Sequence, residues 1–214
     1  MTRTYKAWHF LREDRRLGYG DGREVIEGKT LTVDCDLALC KSGLHASTNI
    51  LDALKWAPGP VVCRVEIGGT VILGGDKIVG TSRKALWMFD ATDVLHEFAC
   101  RCAEDALALV DDPDPRSVAA IAAKRQWMRG EITDEELRAA WEGASHAAGD
   151  AAGDAAWDAA WDAGAAAWDA AVDAARDAAR GAAWAAAWDV AGDAARARQS
   201  RRLVGMISAA RRAQ

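Results

Sequence analysis

"DDPDP", residues 111–115, marks the place where the character of this 214-residue chain changes. The residues ahead of it mix apolar side chains, glycines and nearly balanced charges, whereas alanine dominates from about residue 116 onward. Because each proline disfavours helix in the residue before it, this stretch is a natural joint. We therefore predict an α+β protein, with a small mixed α/β domain over residues 1–110 and an Ala/Trp-rich all-α helical array over residues 115–214.

The first domain contains several segments typical of strands. The most strongly β-branched is PVVCRVEIGG (60–69), which proline and glycine bound. We also predict a strand in YKAWHFL (5–11), one or two in REVIEGKTLTV (23–33), and a pair of short strands around a Gly-Gly turn in TVILGGDKIVG (70–80).

Two helices are predicted in the same domain. NILDALKWA (49–57) should be a short helix with Ser47 or Thr48 as its N-cap. ATDVLHEFACRCAEDALALV (91–110) should be amphipathic, because apolar residues recur at steps of three and four. The predicted apolar face consists of Leu95, Phe98, Cys102, Ala106 and Leu109.

The helical half begins with a helix–turn–helix pattern over residues 115–143. Asp114 precedes Pro115 as a predicted N-cap, and Gly130 follows the predicted helix end. Thr133 and Glu136 have the spacing of a capping box, with Ile132 and Leu137 placed for the adjoining hydrophobic staple.

Beyond residue 143 the chain follows a four-residue repeat, roughly A-A-x-D, in which large tryptophans alternate with small residues. Trp157, Trp161 and Trp168 fall within one sector of a helix, and Gly181 is a natural break before the next group. Since alanine fills little volume and each indole buries a large area, we expect these tryptophans to be wedges between closely packed helices.

Charge is distributed unevenly over this half. Residues 131–173 carry eleven acidic side chains against one arginine, and residues 176–214 carry eight arginines against three aspartates. We expect the two arms largely to neutralise each other, and the alternative is a surface for a partner. The candidate partner-binding residues are Asp150, Asp154, Asp158, Asp162, Arg201 and Arg202.

The C-terminal segment carries an apolar stripe of Leu203, Met206, Ile207 and Ala210. We predict a closing helix that packs on the bundle, with binding to a membrane surface as the alternative. The stripe is flanked by four arginines, Arg201, Arg202, Arg211 and Arg212. These cations leave open the alternative that the protein binds nucleic acid or a signalling nucleotide.

The chain has five cysteines, no CxxC pair and no apolar run of signal-peptide or membrane-spanning length. We therefore expect a cytoplasmic protein with reduced thiols.

Two groups contain metal-ligating residue types, but neither matches a compact zinc signature, so no metal site is predicted. These groups are Cys35, Cys40 and His45, and His96, Cys100 and Cys102.

The run CKSGLHAST (40–48), followed by a short helix and an apolar strand, resembles a segment of the ADP-ribosyltransferase fold. The resemblance implies that His9 lies on the first strand beside a nicotinamide and that Ser47 and Thr48 represent the hydroxyl run. Leu44 stands where that family has an aromatic residue, and Arg83 stands near the position of its catalytic glutamate. Glu66 is a poor substitute for that glutamate, so a lapsed nucleotide site is favoured over a working NAD-using enzyme.

Three further segments resemble a family of bacterial immunity proteins and helical tails of phage proteins: FACRCAEDAL (98–107), the run from Asp112 to Ala140, and ARQSRRLVGMI (197–207). LCKSGLHAS (39–47) and DKIVGTSRKALW (76–87) resemble a small domain that accompanies such tails. The resemblance implies an accessory protein in phage–host or toxin–immunity conflict.

Our leading expectation is a non-enzymatic binding protein, without cofactor, that recognises a protein partner or a small nucleotide and oligomerises through its helical half. The candidate ligand-binding residues are His9, His45, Ser47, Thr48 and Arg83. The alternative enzyme would use NAD, with His9, Ser47 and Glu66 as candidate catalytic residues.

Overall fold

The structure is a computed structural model that describes residues 3–18, 20–109, 112–150 and 190–214. It divides into two compact units, Met1–Ala91 with Ile207–Gln214 and Thr92–Met206. An antiparallel sheet in the first unit precedes the helices of the second, which confirms the mixed α+β class.

The first unit is built on five antiparallel strands and one short helix. Four strands follow the order β1-β4-β5-β2, and β3 also pairs with β5. The elements are β1 Tyr5–Leu11, β2 Thr30–Thr32, β3 Leu44–Ala46, α1 Ile50–Leu54, β4 Val61–Leu73 and β5 Ile78–Asp90.

Two backbone hydrogen bonds join the chain just after β3 to β1. The Trp8 amide donates to the Ser47 carbonyl at 2.7 Å, and the Ser47 amide donates to the Trp8 carbonyl at 2.9 Å. Since β3 also pairs with β5, the path β1-β4-β5-β3 returns to β1 and closes the sheet on itself.

One face of this sheet, here called the core face, carries the buried apolar cluster of the unit. Alternate residues of a strand point to the same face, which explains why the cluster takes every second residue of β4. Its members are Ala7, Leu11, Val25, Ala46, Val61, Cys63, Val65, Ile67, Ile78 and Ala85.

The strand ending predicted at Gly68 and Gly69 is wrong. β4 continues to Leu73, and the two predicted short strands are the ends of β4 and β5. The pairing register shifts between Gly68 and Val71, where Gly69 adopts φ +73°. Glycine accepts this left-handed conformation without steric cost, so the pair marks a bulge within a strand. The predicted turn at Gly74 is confirmed, because its amide donates to the Lys77 carbonyl at 2.7 Å.

The N-cap of α1 is Asn49, not Ser47 or Thr48. The Asn49 side-chain oxygen accepts from the Leu51 amide at 2.9 Å. Ser47 is drawn into the bridge with Trp8, and the helix consequently begins two residues later than a Ser47 cap would require.

Replacing Asn49 with alanine is expected to lower the free energy of unfolding by about 1 kcal/mol, because the Leu51 amide loses its acceptor. Thr48→Ala is the matched control, since Thr48 is exposed and does not cap the helix. Urea denaturation of both variants measures the difference. Equal midpoints for the two variants would contradict the assignment.

The second unit contains α2 Thr92–Leu107, α3 Pro115–Met128 and α4 Asp134–Asp150, and the last helix, α5, covers Val190–Arg212. The predicted face of α2 is confirmed at Leu95, Phe98 and Cys102. It is wrong at Leu109, which is 83% exposed because the helix ends at Leu107 and the periodicity ends with it.

The predicted helix–turn–helix is confirmed down to its caps. Asp114 accepts from the Arg116 amide at 2.8 Å, and Gly130 follows α3 with φ +70°. The Thr133 hydroxyl accepts from the Glu136 amide, and the Glu136 carboxylate accepts from the Thr133 amide at 2.8 Å, which is the reciprocal capping box.

Arg125 of α3 links this helix to α2. It donates to Glu97 and Glu104, two carboxylates about two helical turns apart on α2. Such paired contacts fix the register of two helices more than they stabilise them, because all three side chains are partly exposed.

The predicted stripe of the last helix is confirmed: Leu203 and Ile207 are fully buried, while Met206 and Ala210 are partly buried. The tryptophan wedges predicted at Trp157, Trp161 and Trp168, and the break at Gly181, lie outside the described residues. No helix in the described ranges is long and apolar enough to cross a membrane.

Candidate ligand-binding site

The core face carries a polar cluster among its apolar residues. His9 of β1 pairs with Cys63 of β4, and Arg83 of β5 pairs with Ile67 on one side and Leu31 on the other. Because directly paired residues point to one face, His9, Cys63 and Arg83 all lie on the core face. With the neighbouring His45 of β3, these residues form what is here called the Arg83 site.

Arg83 is the central residue of this site. It is only 3% exposed, and its Nη1 donates to the carbonyl oxygen of His45 at 2.7 Å. Its Nη2 is buried and has no hydrogen-bond partner among the described residues. Burial lowers the pKa of Arg83 to about 10, so the side chain is still a cation at neutral pH.

His9 is half-buried and is held neutral. Burial lowers its pKa well below the ordinary value, and the nearby Arg83 cation and His45 lower it further. A neutral imidazole offers one donor and one acceptor nitrogen.

The His45 ring is committed to the protein's own backbone. Its Nε2 accepts from the Cys40 amide at 3.0 Å, and its Nδ1 lies 3.0 Å from the Gly43 carbonyl oxygen. This pairing requires the tautomer with the proton on Nδ1. Burial lowers the pKa of His45, which keeps that neutral form. The ring therefore fixes the loop before β3 and leaves only the His45 carbonyl to Arg83.

Cys63 completes the site as a neutral thiol. Burial raises its pKa to about 12, so the thiolate form is negligible at neutral pH. The side chain behaves as a small apolar group beside Arg83 and not as a nucleophile.

A segment between β1 and β2 brings an acidic and a basic side chain towards this site. Asp21 and Arg23 form an ion pair at 2.7 Å, and Arg23 Nη1 donates to the Thr32 carbonyl at 2.9 Å. Hydrogen bonding to Arg23 lowers the pKa of Asp21. Asp21 forms no ion pair with Arg83 in the described part of the chain, although the charges of Asp21 and Arg23 act on Arg83 in opposite directions.

The structure does not bring the other predicted ligand and catalytic residues into this cluster. Glu66 lies opposite Lys6 and Lys84, three residues along β4 from Cys63 and therefore on the other face of the sheet. Ser47 pairs with Trp8, also on that face, and Thr48 is exposed.

Neither group of metal-ligating residue types forms a cluster of three or more in the described ranges. Cys35 and Cys40 are exposed, and Cys40 Sγ lies 3.2 Å from Lys77 Nζ. Cys100 and Cys102 are buried, and burial raises the pKa of Cys100 to about 11.

Of the predicted partner-binding residues, Arg202 forms an ion pair with Asp105 of α2 at 2.7 Å, and Arg201 is exposed. The side chains of Asp150, Asp154, Asp158 and Asp162 lie outside the described residues.

Two further clusters were missed by sequence reasoning. On the face opposite the Arg83 site, Arg64 lies over the Trp8 ring, Trp8 meets Trp87 edge to face, and Arg211 lies over Trp87. Their pairing depends on strand register, which single-residue patterns do not reveal.

The second cluster lies in the helical unit. His96 is 5% exposed and meets the Trp127 ring edge to face at 5.5 Å, with Lys124 over the same ring. Burial lowers the pKa of His96 to about 3, and the Lys124 ammonium contributes. In the sequence, the i,i+3 spacing of Lys124 and Trp127 indicates that these two side chains are neighbours on one helix, but it does not reveal their contact with His96.

The comparison with known proteins bears on most of the first unit and on the start of α2. Residues 6–97 match the model of a family described as a domain of unknown function (DUF7666). No curated protein and no solved structure matches the chain. The matched range contains His9, His45, Cys63 and Arg83, so the whole Arg83 site lies within the part of the chain that is similar to this family.

Proposed function

We propose that the protein is a non-enzymatic binding protein whose N-terminal unit recognises a small anionic molecule at the Arg83 site. The observation that supports this most is the state of Arg83, a buried cation with one unused donor nitrogen. An anion bound at Nη2 would balance the positive charge of Arg83 and accept the hydrogen bond that Nη2 can donate.

The free-energy cost of Arg83 supports the same proposal. A charge removed from water costs several kcal/mol after relaxation, unless an opposite charge and hydrogen bonds offset it. Here one carbonyl oxygen offsets only part of that cost. A hydrophobic side chain would serve the fold better at this position, which favours retention for recognition.

The surroundings of Arg83 favour binding over catalysis. Cys63 is a thiol with a raised pKa, the His45 ring is hydrogen-bonded on both nitrogens, and Glu66 is on the opposite face. His9 remains as a neutral partner for a ligand, and no carboxylate in the described part of the chain is placed to orient it as a general base.

The sequence resemblance to immunity proteins and phage tails supports an accessory role in phage–host or toxin–immunity conflict, with the helical half as a scaffold or a surface for a protein partner. NAD enters this proposal only as one anionic ligand to be tested.

Calorimetric titration of the full chain tests the binding proposal. The probes are inorganic phosphate, AMP, NAD and benzoate. We expect saturable binding of at least one probe, weakened at least about tenfold in Arg83→Met, because a charge-assisted hydrogen bond is lost. Lys84→Met is the matched control: Lys84 is the next residue of β5, is exposed, and lies on the other face. Absence of saturable binding by every probe, or equal binding by Arg83→Met, would refute the proposal.

A further inference from the structure

We propose that the ligand of the Arg83 site is a monocarboxylate with an apolar body, its carboxylate bound between Arg83 Nη2 and the His9 imidazole. This inference rests on the proposed function and narrows it to one chemical class. The juxtaposition that carries it is one unused guanidinium donor and one neutral imidazole on an otherwise apolar sheet face.

The charge of the site matches a single negative charge. Among the described residues of the core face, Arg83 is the cation that carries the unused donor, whereas His9 and His45 are neutral. Asp21 and Arg23 neutralise each other as an ion pair. A dianionic phosphate group is normally met by several cations or by a row of backbone amides, and the described residues of the core face provide neither. A carboxylate is matched by one guanidinium.

The apolar surroundings indicate what the rest of the ligand is. Arg83 pairs with Ile67 and Leu31, and Val65 and Ala85 lie one pair further along the same face. These side chains are buried or half-buried and belong to, or pack on, the core cluster. A ligand body in contact with the half-buried Leu31 at the edge of this cluster would gain by leaving water, whereas a ribose or a second phosphate would lose its hydrogen bonds to water.

His9 supplies a second property that distinguishes this ligand class. A carboxylate beside the ring favours the charged imidazolium, so binding should take up protons at mildly acidic pH. His9 is paired with Cys63 of β4, and the charges of Arg83 of β5 and His45 of β3 act on it; none of these side chains is anionic at neutral pH. In the segment before β2, Asp21 is paired with Arg23, and the Glu27 carboxylate accepts from the Met88 amide at 2.6 Å. The bound carboxylate is therefore the added negative charge that His9 would sense.

The test is calorimetric titration of the full-length protein with benzoate and hexanoate, against inorganic phosphate and AMP, at pH 6 and pH 8. Two buffers of different ionisation enthalpy at each pH report the protons taken up. We expect the carboxylates to bind more tightly at pH 6 than at pH 8, with net proton uptake at pH 6. Arg83→Lys keeps the charge but loses the planar fork, and should weaken benzoate binding by about tenfold. His9→Gln should retain weaker binding without proton uptake, and Lys84→Met should behave as the unaltered protein.

The outcomes separate this inference from the broader proposal. Tighter binding of phosphate or AMP than of either carboxylate, lost in the Arg83 variants, would overturn the monocarboxylate and leave an anion-binding protein. Carboxylate binding with the same affinity and proton uptake in His9→Gln would also overturn it, because the imidazole would have no part. Binding of no probe by the unaltered protein would overturn both.

Discussion

Lowering the pH from 7 to 5 is expected to reduce the free energy of unfolding by about 2 kcal/mol through His96 alone. Burial lowers the pKa of His96 in the folded protein to about 3 from an ordinary value of 6.5, so the unfolded chain takes up the proton first. The contribution of His96 to stability is fully present above pH 6.5 and is lost as the pH falls towards 3. Guanidinium denaturation at pH 7, 6 and 5 measures the slope.

His96→Phe is the informative variant for this prediction. Phenylalanine preserves an aromatic edge towards Trp127, and the buried Nδ1 of His96 has no hydrogen-bond partner to lose among the described residues. Stability of this variant should fall less steeply over the same range. The pKa values of His9 and His45 are also lowered, so these two residues should leave a residual dependence of stability on pH in this variant. An unchanged slope in His96→Phe would show that the imidazole is not excluded from water in the native state.

Replacing Arg83 with methionine is expected to increase the free energy of unfolding by about 1–2 kcal/mol, although a buried polar contact is removed. Methionine occupies a similar volume and needs no counter-charge, whereas Nη2 of Arg83 has no hydrogen-bond partner within the described ranges. The gain is limited because the His45 carbonyl loses the donor that it now has. Thermal unfolding followed by circular dichroism should show a melting temperature several degrees higher.

Lys84→Met controls for a general effect of removing positive charge from β5. Its melting temperature should stay close to that of the unaltered protein, because an exposed lysine contributes little to stability. A lower melting temperature for Arg83→Met would mean that Arg83 is retained for the fold and not for a ligand. The pairing of higher stability with lost binding is characteristic of residues kept for function.

The elements that sequence alone could predict are those decided by local contacts. The caps at Asp114, Thr133 and Glu136 involve residues two or three positions apart, and the structure has each of them. The prediction of the α1 cap was wrong because the backbone of Ser47 is hydrogen-bonded to Trp8, which is far away in the sequence. A local preference was overridden by a distant strand pairing.

For the same reason, the candidate site could be only partly predicted from the sequence. His9, His45 and Arg83 were identified as residues, but their grouping around one guanidinium depends on the register of three strands. Opposite Arg64 and Val65, a bulge places one extra residue in β5 and changes which of its side chains face inward. Simple alternation along TSRKALW in the sequence therefore does not reveal the inward-facing side chains. The burial of Arg83 and the opposite placement of Glu66 follow from that register.

The long hairpin of β4 and β5 has a consequence for how the sheet is assembled. Its strands are joined by the turn from Gly74 to Lys77, so closing it costs little chain entropy and should be fast. Docking β1 and sealing the ring at Trp8 and Ser47 bring together distant stretches, which places them late on the folding pathway. The Arg83 site would thus be completed last, after the hairpin has formed.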